Sequence, residues 1–240
     1  MGESIPPTNL EKTLLNEGFL ESEQPKSHDG PLYRVENHFG QLQIKQSECP
    51  KEREALVFKG KKIKFTGSNH GEFGGELIAQ FANGKKRTLI KEPIVAILPS
   101  AIHTKLWVFT GFAHLGFSNG NVYTIENFDT QPTVKHITLL PDAPRKVFVS
   151  NEKNQSQADF FYILGFRSLM LLIGEDMLSI EAINDWVGGN YTVFQKENEF
   201  LFGTCGAFIY LRTIEIGGLA PRFVKFYTRQ TDSEKPSSLQ

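Results

Sequence analysis

The tetrapeptide Lys64-Phe65-Thr66-Gly67 decides the fold, because short strand-like runs that end in glycine return three more times along the chain. The later copies share apolar or β-branched residues before the glycine: Val108-Phe109-Thr110-Gly111, Tyr162-Ile163-Leu164-Gly165 and Phe200-Leu201-Phe202-Gly203. The steps between the four glycines are 44, 54 and 38 residues. Repeats of this length indicate one supersecondary unit that is copied and stacked against its neighbours.

Each glycine lies within the same order of four short apolar runs. In the first copy these runs cover 55–58, 64–67, 76–79 and 87–90. Polar turns separate the runs, notably Asn83-Gly84 in the first copy and Asn119-Gly120 in the second. Such runs and turns are typical of antiparallel hairpins. The sequence therefore predicts an all-β fold, a β-propeller of four-stranded blades with four complete blades over residues 54–228.

Two segments before the first complete blade have signals of their own. Residues 32–35 and 41–44 read as one more hairpin, which forms either a partial fifth blade or a strand pair that closes the ring with the C-terminal blade. Thr8-Asn9-Leu10-Glu11 is a capping box, which predicts a short helix over 8–17. We therefore expect about five blades and a short N-terminal helix.

These signals give a domain organisation. Residues 1–30 are assigned to the helix and a linker that begins at Glu21, residues 31–230 to a single propeller domain, and residues 231–240 to a disordered tail. The first residues lack a basic region followed by an apolar run, so no signal peptide is predicted, and a soluble protein of the cytoplasm or periplasm is expected.

Composition argues against several classes of partner. The net charge is −1, without a basic block, so neither nucleic acid nor a membrane surface is expected to bind. The 20 phenylalanines are expected to fill the gaps between blades. No cysteine or histidine spacing typical of a metal site occurs, so no metal and no cofactor are predicted. We also expect a monomer.

Two cysteines, Cys49 and Cys205, are too few for a disulfide framework. A single bridge stays open as an alternative, since ring closure would bring the first and last strands together. Cys49 lies in a polar turn and is expected to be exposed.

The repeat register predicts which polar residues share one face. His70 and His114 each lie three residues after a repeat glycine, and Arg167 and Cys205 each lie two residues after one. All four fall in the connection between the second and third strands, so we expect them on one face, together with Glu72. The connections that follow the fourth strand should open on the same face, with Glu92, Asp142, Arg145, Asp185, Trp186 and Asn190.

This polar set has two interpretations. His70, Glu72, His114 and Arg167 are the candidate catalytic residues, because two imidazoles, a carboxylate and an arginine suit acid–base work on an anionic substrate. The simpler interpretation is that repeated loop residues form structural hydrogen bonds between neighbouring blades. For binding a partner, the candidates are Trp186, Arg167, Asp185 and Asn190, because Trp and Arg dominate interface energetics.

The repeat resembles the WD-repeat and related β-propellers over roughly residues 31–228, although no Gly-His and Trp-Asp pair occurs in any copy. Three strings are similar to a group of uncharacterised bacterial propeller proteins: residues 70–77, 109–115 and 139–144. This resemblance carries no catalytic residues to the chain. Some small bacterial propellers are immunity proteins that neutralise toxins, and this likeness is one of architecture only.

The sequence-based prediction is therefore a non-enzymatic protein-binding propeller, with an immunity-type inhibitor of a bacterial toxin as one form. The alternative is a hydrolase or lyase with a His/Glu/Arg site at the channel mouth.

Overall fold

The computed structural model describes residues 8–22, 30–38, 41–49, 56–149, 159–182, 192–196, 199–213 and 222–229. The chain begins with helix α1 (Asn9–Asn16) and strand β1 (Phe19–Ser22), followed by the hairpin β2 (Leu32–His38) and β3 (Gln41–Ser47).

Four groups of four strands come next within the described residues. The first group is β4 (Leu56–Lys59), β5 (Ile63–Gly67), β6 (Leu77–Phe81) and β7 (Lys86–Ile90). The second is β8 (Ile94–Pro99), β9 (Lys105–His114), β10 (Phe117–Glu126) and β11 (Thr133–Leu140). The third is β12 (Pro144–Val149), β13 (Phe160–Gly165), β14 (Ser168–Ile173) and β15 (Asp176–Ala182). The fourth is β16 (Thr192–Lys196), β17 (Glu199–Gly203), β18 (Phe208–Thr213) and β19 (Arg222–Arg229).

Each group forms one antiparallel sheet in which consecutive strands are neighbours. The all-β prediction is confirmed, and in each sheet the glycine-ended run is the second strand. Strand β1 adds a fifth strand to the fourth sheet by pairing with β19. Residues 21 and 22 therefore belong to a strand, where the sequence placed the start of a linker.

The chain divides into two compact units. Unit 1 comprises residues 1–52 and 187–240, and unit 2 comprises residues 53–186. Unit 2 contains the first three sheets, whose buried side chains include Trp107, Phe109 and Phe161. In unit 1 the helix packs Leu10 and Leu14 into a core of aromatic residues from β1, the β2–β3 hairpin and the fourth sheet. No helix within the described residues is long and apolar enough to cross a membrane.

Close packing explains the repeated glycines. A Cβ atom on any of the four would lie less than 3.0 Å from another part of the chain: Ile94 at Gly67, Pro144 at Gly111, Asp142 at Gly165 and the Tyr33 carbonyl at Gly203. Because no side chain fits there, the repeat marks the points at which each second strand meets a neighbouring segment.

The second sheet corrects one turn prediction. Asn119 and Gly120 lie inside β10, opposite Phe112 and Gly111, rather than in a turn. The β9–β10 hairpin continues past the repeat glycine and turns at Leu115 and Gly116. His114 is consequently the last residue of β9 and not a loop residue.

Two features hold unit 1 together. The predicted capping box is present at the start of α1, with Thr8 and Glu11 bonded reciprocally. Cys49 and Cys205 form a disulfide with their Cα atoms 5.7 Å apart, which links the end of the β2–β3 hairpin to the segment between β17 and β18. Cys205 is fully buried and Cys49 is partly buried, so the sulfur atoms are not available as a reactive pair of thiols.

Candidate functional site

One edge of unit 2 collects the connections that the sequence singled out. In an antiparallel sheet of four consecutive strands, the connection from the second to the third strand and the exit from the fourth strand lie at the same end of the strands. Contacts link these ends in all three sheets of unit 2. Glu72 of the first sheet contacts His114 of the second, and Asp142 links the second sheet to the third. We call this end of unit 2 the loop edge.

Glu72 and His114 meet at the loop edge. Glu72 lies in a single 3₁₀ turn, Gly71–Phe73, which the backbone N–H of His70 helps to close by donating to the carbonyl of Gly74 over 2.8 Å. The Oε2 atom of Glu72 lies 2.5 Å from Nδ1 of His114 at the end of β9. Both side chains remain 41–45% exposed, so the contact is open to water.

The β9–β10 hairpin ends in an unusual turn beside this contact. Leu115 and Gly116 both have positive φ angles, 45° and 87°, as the favoured two-residue hairpin turn requires. Asn, Asp and Gly adopt this conformation readily, whereas leucine does so at a cost. Leu115 nevertheless occupies it with its side chain 85% exposed.

The exposed apolar residues of unit 2 concentrate at the same place. Among the described residues, the three most exposed large apolar side chains are Phe73 (84%), Leu115 (85%) and Phe117 (75%). Each lies within three residues of Glu72 or His114 in sequence, and Phe117 pairs with His114 across the hairpin. We define the hairpin-tip surface as Glu72, Phe73, His114, Leu115 and Phe117.

Asp142 is a buried acceptor between the second and third sheets. Its Oδ1 accepts from the hydroxyl of Ser118 on β10. Its Oδ2 accepts from the backbone N–H of Arg167 over 2.5 Å and from the hydroxyl of Ser168 over 3.0 Å. The carboxylate thus fixes the β13–β14 turn against β10, and it fills the space that a side chain at Gly165 would need.

Glu92 occupies the matching position between the first and second sheets. It accepts hydrogen bonds from the hydroxyls of Thr110 and Tyr123, at 2.5 and 2.6 Å, and from the Asn121 amide at 3.0 Å. Burial raises the pKa of Glu92, but these hydrogen bonds outweigh burial and hold the pKa below its ordinary value. Burial and the neighbouring carboxylate raise the pKa of Tyr123. At neutral pH the carboxylate is ionised and the phenol is neutral, which suits a structural role.

The predicted residues have different surroundings in the structure. Glu72 and His114 are in contact, and Arg167 joins the same edge through its backbone while its side chain is exposed. The His70 imidazole is exposed and has no hydrogen-bond partner among the described residues. Arg145 lies over the ring of Phe166, 3.8 Å from its centroid. The proposed partner-binding residues Asp185, Trp186 and Asn190 lie outside the described residues.

Sequence reasoning missed the apolar part of the loop edge. Phe73 and Phe117 were expected to fill gaps between blades like the other phenylalanines, and the second-to-third connection of the second blade was expected to reach Asn119-Gly120. A signal was present in the Leu115-Gly116 pair, since a glycine three residues before Asn119 offers an alternative turn.

The chemistry open to the loop edge is limited. The partly buried carboxylate of Glu92 and the buried carboxylate of Asp142 have their oxygens occupied by donors of the protein. Within the described part of the chain, no three His, Cys, Asp or Glu residues come together as a metal-binding group. What the loop edge offers to other molecules is an exposed apolar surface with one imidazole–carboxylate contact.

Comparison with known proteins adds little. No protein-family model matches the chain, and no curated protein matches it. Among solved structures, an exo-β-1,3-galactanase from Phanerochaete chrysosporium, in complex with β-1,3-galactotriose, is similar over 71% of this chain, with 7% sequence identity and a TM-score of 0.38. The chain spans about half of that structure, since 48% of it is covered.

Proposed function

We propose that the chain is a non-enzymatic protein-binding module that engages its partner through the hairpin-tip surface. Inhibition of a bacterial toxin is one form of this function, and it rests only on a likeness of architecture to small bacterial propellers that act as immunity proteins. The observation that carries the proposal is the exposed Leu115 in a left-handed turn.

Leu115 costs the isolated protein folding stability and brings no compensating gain. A left-handed backbone costs an ordinary residue about 1–2 kcal/mol, and Asn or Gly would avoid most of that cost. An exposed leucine also gains no burial energy in the isolated protein. A residue that costs stability and gains no burial is explained if a partner covers its side chain.

The surroundings of Leu115 suit a protein partner. Phe73 and Phe117 add two large aromatic side chains, a residue type enriched in the buried centre of interfaces. Glu72 and His114 add polar groups next to this apolar centre, as expected of a rim. The β13–β14 turn carries Arg167, the partner-binding candidate among the described residues, on the same edge.

For the architecture, we propose a β-propeller with four complete blades and the β2–β3 hairpin as a partial fifth. Four successive antiparallel sheets with the same strand order and close-contact glycines at matching positions support this arrangement. Deletion of residues 31–46 tests it. Aggregation is expected, because strands next to the lost hairpin would be left unpaired, and a soluble monomer of unchanged stability would contradict the role of the hairpin.

The second candidate function is a hydrolase or lyase that uses His70, Glu72, His114 and Arg167. The observation in its favour is the Glu72–His114 contact at 2.5 Å, because a carboxylate can orient an imidazole that acts as a base. Against it, both side chains are more than two-fifths exposed, and acid–base catalysis gains most in sites that exclude water.

The decisive experiment uses the substitution Leu115→Asn. Affinity capture on the immobilised protein identifies the retained protein, and calorimetry with that purified protein gives the dissociation constant. Leu115→Asn should weaken binding at least about tenfold, as expected for a residue near the centre of an interface. The same substitution should leave stability unchanged or raise it by up to about 1 kcal/mol, because Asn favours the turn.

Leu139→Asn is the matched control, since Leu139 is an exposed leucine on the outer strand β11. It should leave the dissociation constant unchanged. If wild type and Leu115→Asn retain the same protein with equal affinity, the hairpin-tip surface is not the binding site. A retained protein that is toxic when expressed alone supports the inhibitor form. Chemical conversion of the retained protein by wild type, lost in both Glu72→Gln and His114→Gln, supports the enzyme.

A further inference from the structure

The first sheet brings together two short lysine-rich stretches of the sequence, residues 59–64 and 85–86. Its two hairpin turns, 60–62 between β4 and β5 and 82–85 between β6 and β7, lie at the edge opposite the loop edge, as the antiparallel order requires. Six lysines belong to these turns or to the strand ends beside them, and all six are exposed: Lys59, Lys61, Lys62, Lys64, Lys85 and Lys86. We call them the lysine cluster.

Strand register places three of these lysines in one row. Lys59 pairs with Lys64, Lys64 pairs with Gln80, and Gln80 pairs with Lys86. Residues directly opposite each other point to the same face of a sheet, with about 4.8 Å between neighbouring strands. Lys59 and Lys64 are therefore adjacent like charges, an arrangement that destabilises a sheet.

Little in the protein neutralises this charge. Among the described residues, none of the six lysines forms an ion pair. Asp129 lies against the first turn, where its Oδ1 accepts from the backbone N–H of Lys61 over 2.7 Å, and it offsets one charge while it holds the turn in place. Since the whole chain has a net charge of −1, the cluster is a local concentration of charge.

The arginine of this sheet is engaged inside the protein. Arg87 donates to the carbonyl of Pro132 over 2.5 Å and lies over the ring of Phe81. The cations left at the surface are therefore lysines, which are compact, hydrated point charges and lack the planar fork that reads a single phosphate. Such groups suit a diffuse negative surface better than one defined anion.

The shape of the cluster favours a flat occupant. The lysines project from two adjacent hairpin turns and one exposed row, and Phe58 and Phe65 pair on the opposite face of the sheet. Bases of single-stranded nucleic acid would find no stacking surface beside the lysines. Contrary to the expectation from net charge, we propose that the lysine cluster docks the protein on a membrane surface that is rich in anionic phospholipid.

Vesicle binding tests this second site independently of the hairpin-tip surface. The full chain is mixed with vesicles of phosphatidylglycerol and phosphatidylcholine, or of phosphatidylcholine alone, and the bound fraction is measured by sedimentation. Binding is expected only to the anionic vesicles and should fall as salt rises. Lys61→Gln with Lys62→Gln should lower the partition constant about 30-fold, since each lysine near an anionic surface contributes about fivefold.

Lys12→Gln with Lys146→Gln is the matched control, because both lysines are exposed and lie outside the cluster. It changes the net charge equally and should alter partitioning by less than about twofold, and melting temperatures of both double variants should match wild type. Absence of binding to anionic vesicles at low salt, or an equal loss in the control, overturns the proposal. Tighter binding of duplex DNA through the same lysines, at equal phosphate concentration, also overturns it in favour of nucleic acid.

Discussion

Unit 1 and unit 2 are built from the same kind of sheet, but different interactions hold their parts together. In unit 1 a two-stranded hairpin is attached to the fourth sheet by the disulfide Cys49–Cys205. Its Val35 N–H also donates to the Thr192 hydroxyl, and its Tyr33 N–H donates to the Thr204 carbonyl. Unit 2 contains no cysteine, and its four-stranded sheets are joined by carboxylates such as Asp142.

The difference follows from how much each part can bury. A two-stranded hairpin has few apolar side chains to bury and is marginal on its own, so a covalent link stabilises it where packing is insufficient. Complete sheets bury large aromatic faces, and they need polar groups mainly to satisfy the backbone at their connections. Four experiments test this difference between the two units.

Loss of the disulfide should have the largest effect, and only in unit 1. The bridge spans 156 residues, and chain-entropy arguments for such a loop give about 5 kcal/mol. Reduction, or Cys49→Ser with Cys205→Ala, should therefore remove hydrogen-exchange protection from 32–47. Strands β9 and β10 should keep theirs. An equal loss in both units would contradict the contrast.

Asp142→Ala should have the next largest effect, now in unit 2. The substitution leaves the Ser118 and Ser168 hydroxyls and the Arg167 N–H without their buried acceptor, at a cost of about 3 kcal/mol. Chemical denaturation followed by fluorescence of the buried Trp107 measures this cost. Glu175→Ala, which removes an exposed ion pair with Lys135, is the control and should cost less than about 1 kcal/mol.

Acid should weaken both units through different residues. Burial raises the pKa of Glu11 and of Glu92, but donors outweigh burial and hold both pKa values below the ordinary 4.5. For Glu11 the donors are the Thr8 N–H, Lys225 and Tyr227. A lowered folded-state pKa contributes stability that is present above the unfolded value and is lost as pH falls through the folded value. Stability should therefore decline below about pH 4.5.

Variants separate the two contributions to this acid dependence. Glu92→Gln should cost about 2 kcal/mol at neutral pH, because charge-assisted hydrogen bonds are lost. It should also make the decline below pH 4.5 shallower in unit 2. Glu11→Gln should do the same in unit 1. Hydrogen exchange at several pH values measures both, and an unchanged pH profile in both variants would show that other groups govern acid unfolding.

Glu72→Gln should have the smallest effect. The Glu72–His114 contact is exposed, and contacts of this kind contribute less than about 1 kcal/mol. A double-mutant cycle with His114→Gln in thermal unfolding measures the coupling. A coupling above about 2 kcal/mol would identify the contact as a structural link like Asp142, and the case for a binding surface at this position would weaken.

Sequence reasoning succeeded where the signal is local. The four glycine-ended runs, their neighbouring strands and the Thr8 capping box were all predicted from residues close together in the chain, and the structure confirms these elements. The turn predicted at Asn119-Gly120 was wrong. Two glycines in one hairpin offer two turns, and only the pairing of the whole strand selects between them. The grouping of His70, His114 and Arg167 relied on repeat register, and the structure brings Glu72 and His114 into contact.

The properties of individual side chains depended on tertiary contacts. Glu92 and Asp142 look like any loop carboxylate in the sequence, and only the donors supplied by β10 and the β13–β14 turn make them structural groups. The disulfide joins residues 156 positions apart, and the lysine cluster arises because strand pairing aligns residues 59, 64 and 86. Strand periodicity and turn chemistry act over a few residues, so the sequence by itself determines the elements. Burial, pairing and local charge density depend on which distant segments meet, so only the tertiary structure decides them.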